Sequence, residues 1–293
     1  MFNFFRPFIF KFSPEIAHSL AIKALKLNNF PINKIVKSEI LETNFCGKKL
    51  SSPVGVAAGF DKNAEVYNPL FNLGFGFVEV GTITPKPQYG NPKPRVFRLE
   101  EDEALINRLG FNNSGSEEIT SRMSKETKKG ILGINIGPNK DAENRIEDYI
   151  SCFKKFHSLA DYISVNISSP NTENLRDFHN QDELNSLIKE LKNEKVKLTS
   201  KVPIAVKVSP DLNDEQIEVV SSILLEQEIE IIIVSNTSDK NRDKLNTINK
   251  LEKGGLSGKP LYQVSNNIIS KFYKLIGNKI KIIGVGGVDS GEA

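Results

Sequence analysis

Residues 162–198, YISVNISSPNTENLRDFHNQDELNSLIKELKNEKVKL, contain the pattern that decides the fold. A short apolar run, Tyr162 to Ser168, ends in small and polar residues, and a helical stretch, Gln181 to Leu198, follows it. Strands that are apolar at nearly every position are typical of a parallel sheet with both faces covered. The segment therefore predicts one strand–helix unit of an α/β protein.

The same rhythm recurs along the chain. Seven apolar, β-rich runs are present: Val54 to Ala58, Phe77 to Thr82, Ile131 to Gly137, Tyr162 to Ser168, Ile204 to Ser209, Ile231 to Asn236 and Ile282 to Gly287. Helical stretches such as Asn213 to Gln227 alternate with them. Nearly every run ends in residues able to do chemistry. A (β/α)₈ barrel gathers its site from many strand ends, whereas a doubly wound sheet uses its switch point, so the pattern favours a barrel.

Length and composition agree with a globular protein. The 293 residues, 39% hydrophobic and 26% charged, suit two domains or one barrel of about 250 residues with an extension. A net charge of only +3 argues against a nucleic-acid partner. The sequence has no G-x-G-x-x-G, and Gly254 to Pro260 fails the P-loop pattern. Dinucleotide and ATP folds therefore lose their main support.

The cysteines and histidines are few and scattered. Cys46 and Cys152 stand far apart, and the three histidines do not cluster, which argues against a disulfide scaffold and a zinc site. We predict no metal. Cys152 lies in an apolar helical stretch, where a buried, inert thiol is expected.

The first 12 residues, MFNFFRPFIFKF, hold six of the 18 phenylalanines. Arg6, Pro7 and Lys11 interrupt the run, and it is shorter than the roughly 20 apolar residues that span a bilayer. It does not match a signal peptide either.

A second helix is predicted to follow, with Ser13 as N-cap and Pro14 in its first turn. One face of it carries the apolar residues, and Lys23 and Lys26 lie off that face. The face consists of Ile16, Leu20, Ala24 and Leu27. Such a pair of helices either lies in a bilayer interface or packs on the domain behind it, and the sequence leaves both open.

Polar side chains at the predicted strand ends indicate a ligand. Five are amides: Asn107, Asn135, Asn166, Asn171 and Asn236. A lone asparagine at a strand end is more often a loop cap, but five together suit the imide edge of a flavin or a pyrimidine. Lys62 and Lys207 supply charge that can hold a carboxylate or stabilise the anion of a reduced flavin.

Two glycine-rich stretches, Gly254 to Gly258 and Gly284 to Gly287, follow the sixth and seventh runs. Backbone N–H groups bind phosphate at this place in many barrels, and tight turning is the alternative explanation. Ser169 as the nucleophile of a catalytic triad finds no support, because no histidine follows another strand.

Five motifs, in order, resemble the dihydroorotate dehydrogenase family: VAAGFDK at 56–62, GTITPKP at 81–87, NRLGFN at 107–112, GINIG at 133–137 and NISSPNT at 166–172. The resemblance runs from about residue 5 to the end and is to the quinone-dependent, membrane-associated subgroup. The soluble subgroup lacks the N-terminal helices and has cysteine where this chain has Ser169. The resemblance implies an amphipathic module over 1–35, for membrane association and quinone access, and an FMN-binding barrel over 36–293.

The resemblance also implies site residues. Those against FMN would be Ala57, Ala58, Gly59, Phe60, Asp61, Lys62, Thr82, Asn135, Asn166, Lys207, Ser235, Gly258 and Gly287. Those around the substrate would be Lys62, Asn107, Arg108, Leu109, Gly110, Phe111, Asn166, Asn171, Asn236 and Thr237. The family usually has threonine where this chain has Ser235, and the hydroxyl is kept.

The implied reaction oxidises dihydroorotate to orotate in pyrimidine biosynthesis. Ser169 would remove the C5 proton and the C6 hydrogen would pass to FMN as hydride. A neutral serine is a poor base, so a hydrogen-bonded path must carry its proton away. A membrane quinone would reoxidise the flavin, with His18 and Arg98 along its path. The location implied is peripheral, on the cytoplasmic side of the cell membrane, with no signal or transit peptide.

The family's eighth strand finds no counterpart before Ala293. We therefore expect a barrel that lacks its eighth βα unit and exposes two strand edges. Two alternatives stay open: a phosphate-binding barrel lyase or isomerase, and a non-catalytic membrane-associated fragment.

Overall fold

A computed structural model of the protein describes residues 2–27, 39–45, 47–172 and 175–293. Its helices are α1 (Phe2–Ile9), α2 (Pro14–Lys26), α3 (Tyr67–Asn72), α4 (Ser116–Met123), α5 (Arg145–Phe156), α6 (Gln181–Lys197), α7 (Asp214–Glu226) and α8 (Leu261–Ile276). Its strands are β1 (Thr43–Phe45), β2 (Lys48–Leu50), β3 (Gly55–Val56), β4 (Phe77–Ile83), β5 (Val96–Leu99), β6 (Ala104–Asn107), β7 (Ile131–Ile136), β8 (Tyr162–Asn166), β9 (Ile204–Val208), β10 (Ile231–Val234), β11 (Gly255–Gly258) and β12 (Lys281–Gly284).

Seven parallel strands form the central sheet, in the order β12-β10-β9-β8-β7-β4-β3. Each of the seven runs predicted from the sequence overlaps one of them, so the prediction of a parallel α/β sheet is confirmed. In the described part of the chain, β3 and β12 each pair on one side only. The sheet is thus an open, barrel-type sheet.

Helix α5 illustrates how the helices cover this sheet. Four of its side chains, Tyr149, Cys152, Phe153 and Phe156, recur at helical spacing and are fully buried in the main core. The side chain of Asn144 caps its first turn. Burial raises the pKa of the Cys152 thiol well above its ordinary value. The interpretation of Cys152 as a buried, inert thiol agrees with this, and Cys46 lies outside the described residues.

A small antiparallel sheet, β11-β6-β5, stands beside the main one. Gly255 to Gly258 of the predicted phosphate-binding stretch form its strand β11 and pair with β6, and phosphate binding there stays a prediction. The close approach of the Thr237 side chain explains why residue 255 is glycine. A Cβ built on Gly255 would lie 1.8 Å from Oγ1 of Thr237, so only glycine lets β11 pass the loop after β10.

Helix α2 has two apolar faces. Ile22 and Leu25 are buried against the barrel, while Ile16, Leu20 and Leu27 stay exposed. Ser13 precedes the helix and Pro14 is its first residue, as the sequence predicts. One face thus packs on the domain behind it and the predicted apolar face remains open.

The predicted boundary between residues 35 and 36 lies outside the described residues. Among the helices that the structure describes, none is both long enough and apolar enough to cross a bilayer.

Candidate active site

One cavity of about 1000 Å³ lies at the carboxyl ends of the parallel strands and extends beneath α2. It is lined by most of the residues that the sequence singles out. They are His18, Ala57, Ala58, Gly59, Phe60, Lys62, Thr82, Arg98, Asn107, Leu109, Gly110, Phe111, Asn166, Ser169, Asn171, Lys207, Ser235, Asn236 and Thr237. A cavity of this size accommodates more than one small molecule.

The cavity floor is a chain of hydrogen bonds between strand ends. Thr82 Oγ1 donates to Asn135 Oδ1 at 2.6 Å and accepts from Asn166 Nδ2 at 3.0 Å. Asn236 Nδ2 in turn donates to Asn166 Oδ1 at 3.3 Å. These bonds fix which end of each amide is the donor. The floor therefore presents oriented polar groups, as recognition of a planar heterocycle requires.

Glu79 ties this chain to Lys207 and was not predicted from the sequence. Its Oε1 accepts from Asn135 Nδ2 at 2.9 Å and lies 3.7 Å from Lys207 Nζ, and its Oε2 accepts from Tyr162 OH at 3.1 Å. Glu79 and Lys207 are both buried. An acidic residue inside the apolar strand FVEVGTI was the available signal, because a buried carboxylate requires partners.

Lys62 is a second, half-buried cation of the cavity. Its Nζ donates to the carbonyl oxygen of Gly59 at 2.6 Å. Burial, helped by the nearby charge of Arg95, lowers the pKa of Lys62 to about 8. The ammonium is therefore still charged near neutral pH, and no carboxylate of the described residues is bonded to it, which suits it to an anionic ligand.

Ser169 follows strand β8 and is buried on the cavity wall. Its Oγ accepts a hydrogen bond from the backbone N–H of Asn171 at 3.2 Å. Asn171 Nδ2 lies within 3.4 Å of Asn107 Oδ1 and donates to it. The structure thus brings together the predicted base and two of the predicted substrate amides.

Asn112 adds an acceptor that was not predicted, although it ends the NRLGFN motif and directly follows the predicted substrate residues 107–111. It lines the cavity, and its buried Oδ1 has no hydrogen-bond partner among the described residues. Such an atom costs free energy unless a ligand or water satisfies it.

Five of the predicted residues are not on the cavity wall. Asp61 accepts from the backbone N–H groups of Glu65 and Val66, and Asn135 lies behind Thr82. Arg108 pairs with Glu252 at 2.7 Å and stacks on Phe97, away from the cavity.

The other two are glycines. A Cβ on Gly258 would meet the Glu103 carbonyl at 2.5 Å, and one on Gly287 would meet Tyr262 at 2.6 Å. Both positions are determined by close packing. The contacts of Gly258 and Gly287 with FMN, and that of Arg108 with substrate, stay predictions.

The side of the cavity under α2 holds His18 and Arg98. His18 Nε2 donates to the Phe60 carbonyl at 2.7 Å, and burial together with the charge of Lys62 lowers the His18 pKa. Arg98 donates to the carbonyl oxygens of Phe10 and Phe12 and stacks on the Phe10 ring at 4.5 Å. Arg98 thereby holds the segment between α1 and α2 against the strand it stands on.

The donor set fits a flavin better than a metal. Within the described ranges, no three His, Cys, Asp or Glu residues gather in a way that could hold a metal ion. The floor instead offers amide donors, amide acceptors and the Lys207 ammonium, and the Ser235 hydroxyl lies on the wall. Gly59 has φ +109° and open space where a Cβ would stand, so the backbone leaves room for a flat ring.

Comparisons with known proteins agree with this arrangement. Residues 40–293 match the family model described as dihydroorotate dehydrogenase. A relative from Allorhizobium ampelinum, named dihydroorotate dehydrogenase (quinone), is 45% identical over 99% of this chain and 81% of its own length. A protein of the same name from Idiomarina loihiensis is 43% identical over 100% of this chain and 90% of its own.

Solved structures give the same result. The dihydroorotate dehydrogenase from Eimeria tenella in complex with ferulenol superposes with a TM-score of 0.92 at 38% identity, covering 95% of this chain and 81% of that one. Its ligand-free form superposes with a TM-score of 0.91. Identity and coverage at this level, together with the match to the family model, show that the chain belongs to the dihydroorotate dehydrogenase family.

Proposed function

We propose that the chain oxidises (S)-dihydroorotate to orotate, with bound FMN as the first electron acceptor and a membrane quinone as the second. The observation that carries the proposal is the continuous cavity, which joins a polar floor at the strand ends to a second region beneath α2. The relatives' name, dihydroorotate dehydrogenase (quinone), supports both the reaction and the acceptor. The reaction belongs to pyrimidine biosynthesis.

FMN would be held by the floor residues Thr82, Asn166 and Lys207 and by the backbone near Gly59. When bound, it supplies the chemistry of accepting a hydride from the substrate. Lys207 carries positive charge into a buried place where negative charge develops on the ring, and such a fixed cation stabilises that charge without reorganisation.

Ser169 would take the proton from C5 of dihydroorotate. A neutral hydroxyl is a weak base, and its conjugate alkoxide needs stabilisation. The N–H of Asn171 already donates to Ser169 Oγ, so negative charge that develops on this oxygen meets a hydrogen bond in place. Ser169 is buried, so water is largely kept from the proton being moved.

The substrate carboxylate would pair with Lys62, to which no carboxylate in the described part of the chain is bonded. The pyrimidine ring would be read by the amides of Asn107, Asn171 and Asn236, which supply both donors and acceptors. The free Oδ1 of Asn112 adds one acceptor for a ring N–H.

The quinone would enter between α2 and the barrel, past His18 and Arg98. Around this opening the chain exposes apolar side chains, namely Phe8, Phe12, Ile16, Leu20 and Leu27. Lys11 and Lys23 are exposed beside them. An apolar helix face flanked by lysines is the composition of a peripheral membrane anchor. We place the protein on the cytoplasmic side of the cell membrane, with residues 1–35 as anchor and 36–293 as catalytic domain.

The decisive experiment is anaerobic reduction of the purified, FMN-loaded protein. Dihydroorotate is expected to bleach the flavin absorption, and a short-chain ubiquinone or menaquinone to restore it, whereas fumarate and NAD⁺ are not. A protein that retains no flavin, or whose flavin dihydroorotate does not bleach, would instead point to the lyase, isomerase or non-catalytic alternatives.

A further inference from the structure

Arg176 does not line the cavity, but its side chain bonds to the backbone of Ser168 and Thr237 in two loops that adjoin it. It stands in a 3₁₀ turn, Leu175–His179, which follows the loop that carries Ser169. Its guanidinium reaches across three consecutive loops, which follow the neighbouring strands β8, β9 and β10. A single side chain thus connects three of the strand-end loops.

Two of the contacts are to the loops that carry predicted site residues. Arg176 Nε donates to the carbonyl oxygen of Ser168 at 3.3 Å, one residue before Ser169. Arg176 Nη2 lies 3.4 Å from the carbonyl oxygen of Thr237 and donates to it. The guanidinium therefore determines how far the Ser169 backbone lies from that of Thr237.

The other two contacts anchor the guanidinium itself. Nη2 lies 3.0 Å from Asp211 Oδ2, and Nη1 lies 3.0 Å from Asp239 Oδ1. The Asp211 side chain is only 4% exposed and also accepts from the Ser238 hydroxyl and from the backbone N–H of Asp239. A carboxylate held in this way has little freedom to move with its partner.

The chemistry of arginine explains why this residue stands here. Its planar fork carries five N–H donors at fixed angles, and three of its nitrogens are used in three directions. A lysine would keep the charge but could not hold two carbonyls and two carboxylates in one plane. An exposed ion pair would contribute little, whereas this one ties partly buried groups together.

We propose that Arg176, anchored by Asp211, is a positioning residue that sets Ser169 against the substrate held by the Thr237 loop. It does not touch the reacting atoms. The inference rests on the proposed function, because it gives the two loops their roles as base and substrate wall. Misplacement of a base by about 1 Å can cost about a hundredfold in rate, so the expected effect is on the proton-removal step.

The test compares Arg176→Met and Arg176→Lys with a matched control, Asp161→Asn. The Asp161 side chain is 4% exposed, binds Lys48 and Lys128 and accepts from the Leu132 N–H at 2.8 Å. It directly precedes β8, at the opposite end of the sheet from the cavity. It therefore reports what the loss of a buried ionic network does to stability alone.

Flavin reduction is measured by stopped flow with dihydroorotate and with dihydroorotate deuterated at C5. For Arg176→Met we expect FMN retained, a limiting reduction rate about ten- to hundredfold lower and a larger C5 deuterium effect, since proton removal becomes slower. Arg176→Lys, which keeps one cationic donor, should fall between. Asp161→Asn should lower the melting temperature with an unchanged rate and isotope effect.

Each outcome separates the two claims. Wild-type protein whose flavin is not bleached would overturn the proposed function and this inference with it. Wild-type bleaching with an unchanged rate in both Arg176 variants would overturn the inference alone. The inference would also be overturned if Asp161→Asn lowered the melting temperature and the reduction rate as much as the Arg176 variants do. It would be overturned as well if the Arg176 variants were slower but kept the wild-type C5 isotope effect.

Discussion

The Lys207 ammonium and the Glu79 carboxylate lie 3.7 Å apart inside the sheet, and the two side chains are only 6% and 4% exposed. Such a pair is stable only if its remaining donors and acceptors are also bonded. Asn135 and Tyr162 each donate a hydrogen bond to the Glu79 carboxylate. The pair therefore places one compensated positive charge under the proposed flavin.

Glu79→Gln should leave Lys207 without its counter-charge. We expect the reduction potential of bound FMN to rise, because an uncompensated cation stabilises the reduced, anionic ring more strongly. The free energy of unfolding should fall by about 3 kcal/mol, as when one partner of a buried pair is removed. Spectroelectrochemical titration and urea unfolding measure the two effects. The control is Asp214→Asn, which breaks an exposed pair with Lys271 and should change neither the reduction potential nor the free energy of unfolding. An unchanged potential in Glu79→Gln would show that the Lys207–Glu79 pair does not influence the flavin.

Ser169→Ala removes the proposed base while leaving the floor of the cavity intact. Because a positioned base contributes about 10²- to 10⁴-fold, flavin reduction by dihydroorotate should slow by at least about a hundredfold. The flavin spectrum and the amount of FMN bound should stay as in the wild type. Stopped-flow reduction gives the rate, and an unaltered rate would mean that another residue takes the proton.

Lys62 should make both stability and substrate affinity depend on pH. Its folded-state pKa of about 8 lies below the ordinary 10.5, so between these values the unfolded chain binds more protons than the folded one. Stability then rises with pH through this window, and the full cost of the buried charge is present below pH 8. Lys62→Met should therefore stabilise the ligand-free protein most below pH 8, with the gain shrinking towards pH 10.5.

The same titration predicts that the KM for dihydroorotate rises above pH 8, where Lys62 loses the charge that pairs with the carboxylate. Thermal unfolding of both proteins at pH 7 and pH 9.5, and KM across that range, are the measurements. A stability difference that does not change with pH would contradict the assignment.

The exposed face of α2 can be tested without disturbing its packed face. Deleting residues 1–35 would also remove Ile22 and Leu25 from the core, whereas Ile16→Ser with Leu20→Ser changes side chains that are 52% and 45% exposed. We expect binding to phosphatidylcholine–phosphatidylglycerol vesicles to fall by about tenfold or more, since two apolar side chains no longer enter the interface. Turnover with a water-soluble dye should be unchanged.

Val196→Ser is the matched control for this pair, because Val196 is 75% exposed near the end of α6, away from the cavity. Vesicle co-sedimentation is the measurement. Equal binding of the double variant and the wild type would place the membrane contact elsewhere.

How much the sequence predicts depends on how local each feature is. The strand Ile204–Val208 is apolar at every position except Lys207. Both the strand and this site residue can therefore be predicted from a few neighbouring positions. Strand β11 cannot be, since it exists through pairing with a segment 148 residues away, as the contact between Asn107 and Gly255 illustrates. The role of Arg176 is equally non-local, because its partners lie on three different loops.

Arg108 shows what a motif alone leaves open. It sits within a motif that resembles the family's substrate loop, yet its side chain turns away to Glu252 and Phe97. Neighbours in a motif share a backbone, and in an extended segment alternate side chains point to opposite sides. Membership of the motif therefore does not determine which side chains reach the ligand.

One face of helix α2 covers the cavity, and an apolar face points outward. On the proposed function, this arrangement gives the two reactants approaches from different phases. A water-soluble acid arrives between the strand-end loops, and an oily oxidant arrives from the lipid under the helix. Dihydroorotate and the quinone would then not compete for one entrance to the cavity, and electrons would pass from the aqueous side to the membrane at a fixed place. Helix α2 would therefore separate the aqueous entrance of the substrate from the lipid entrance of the quinone.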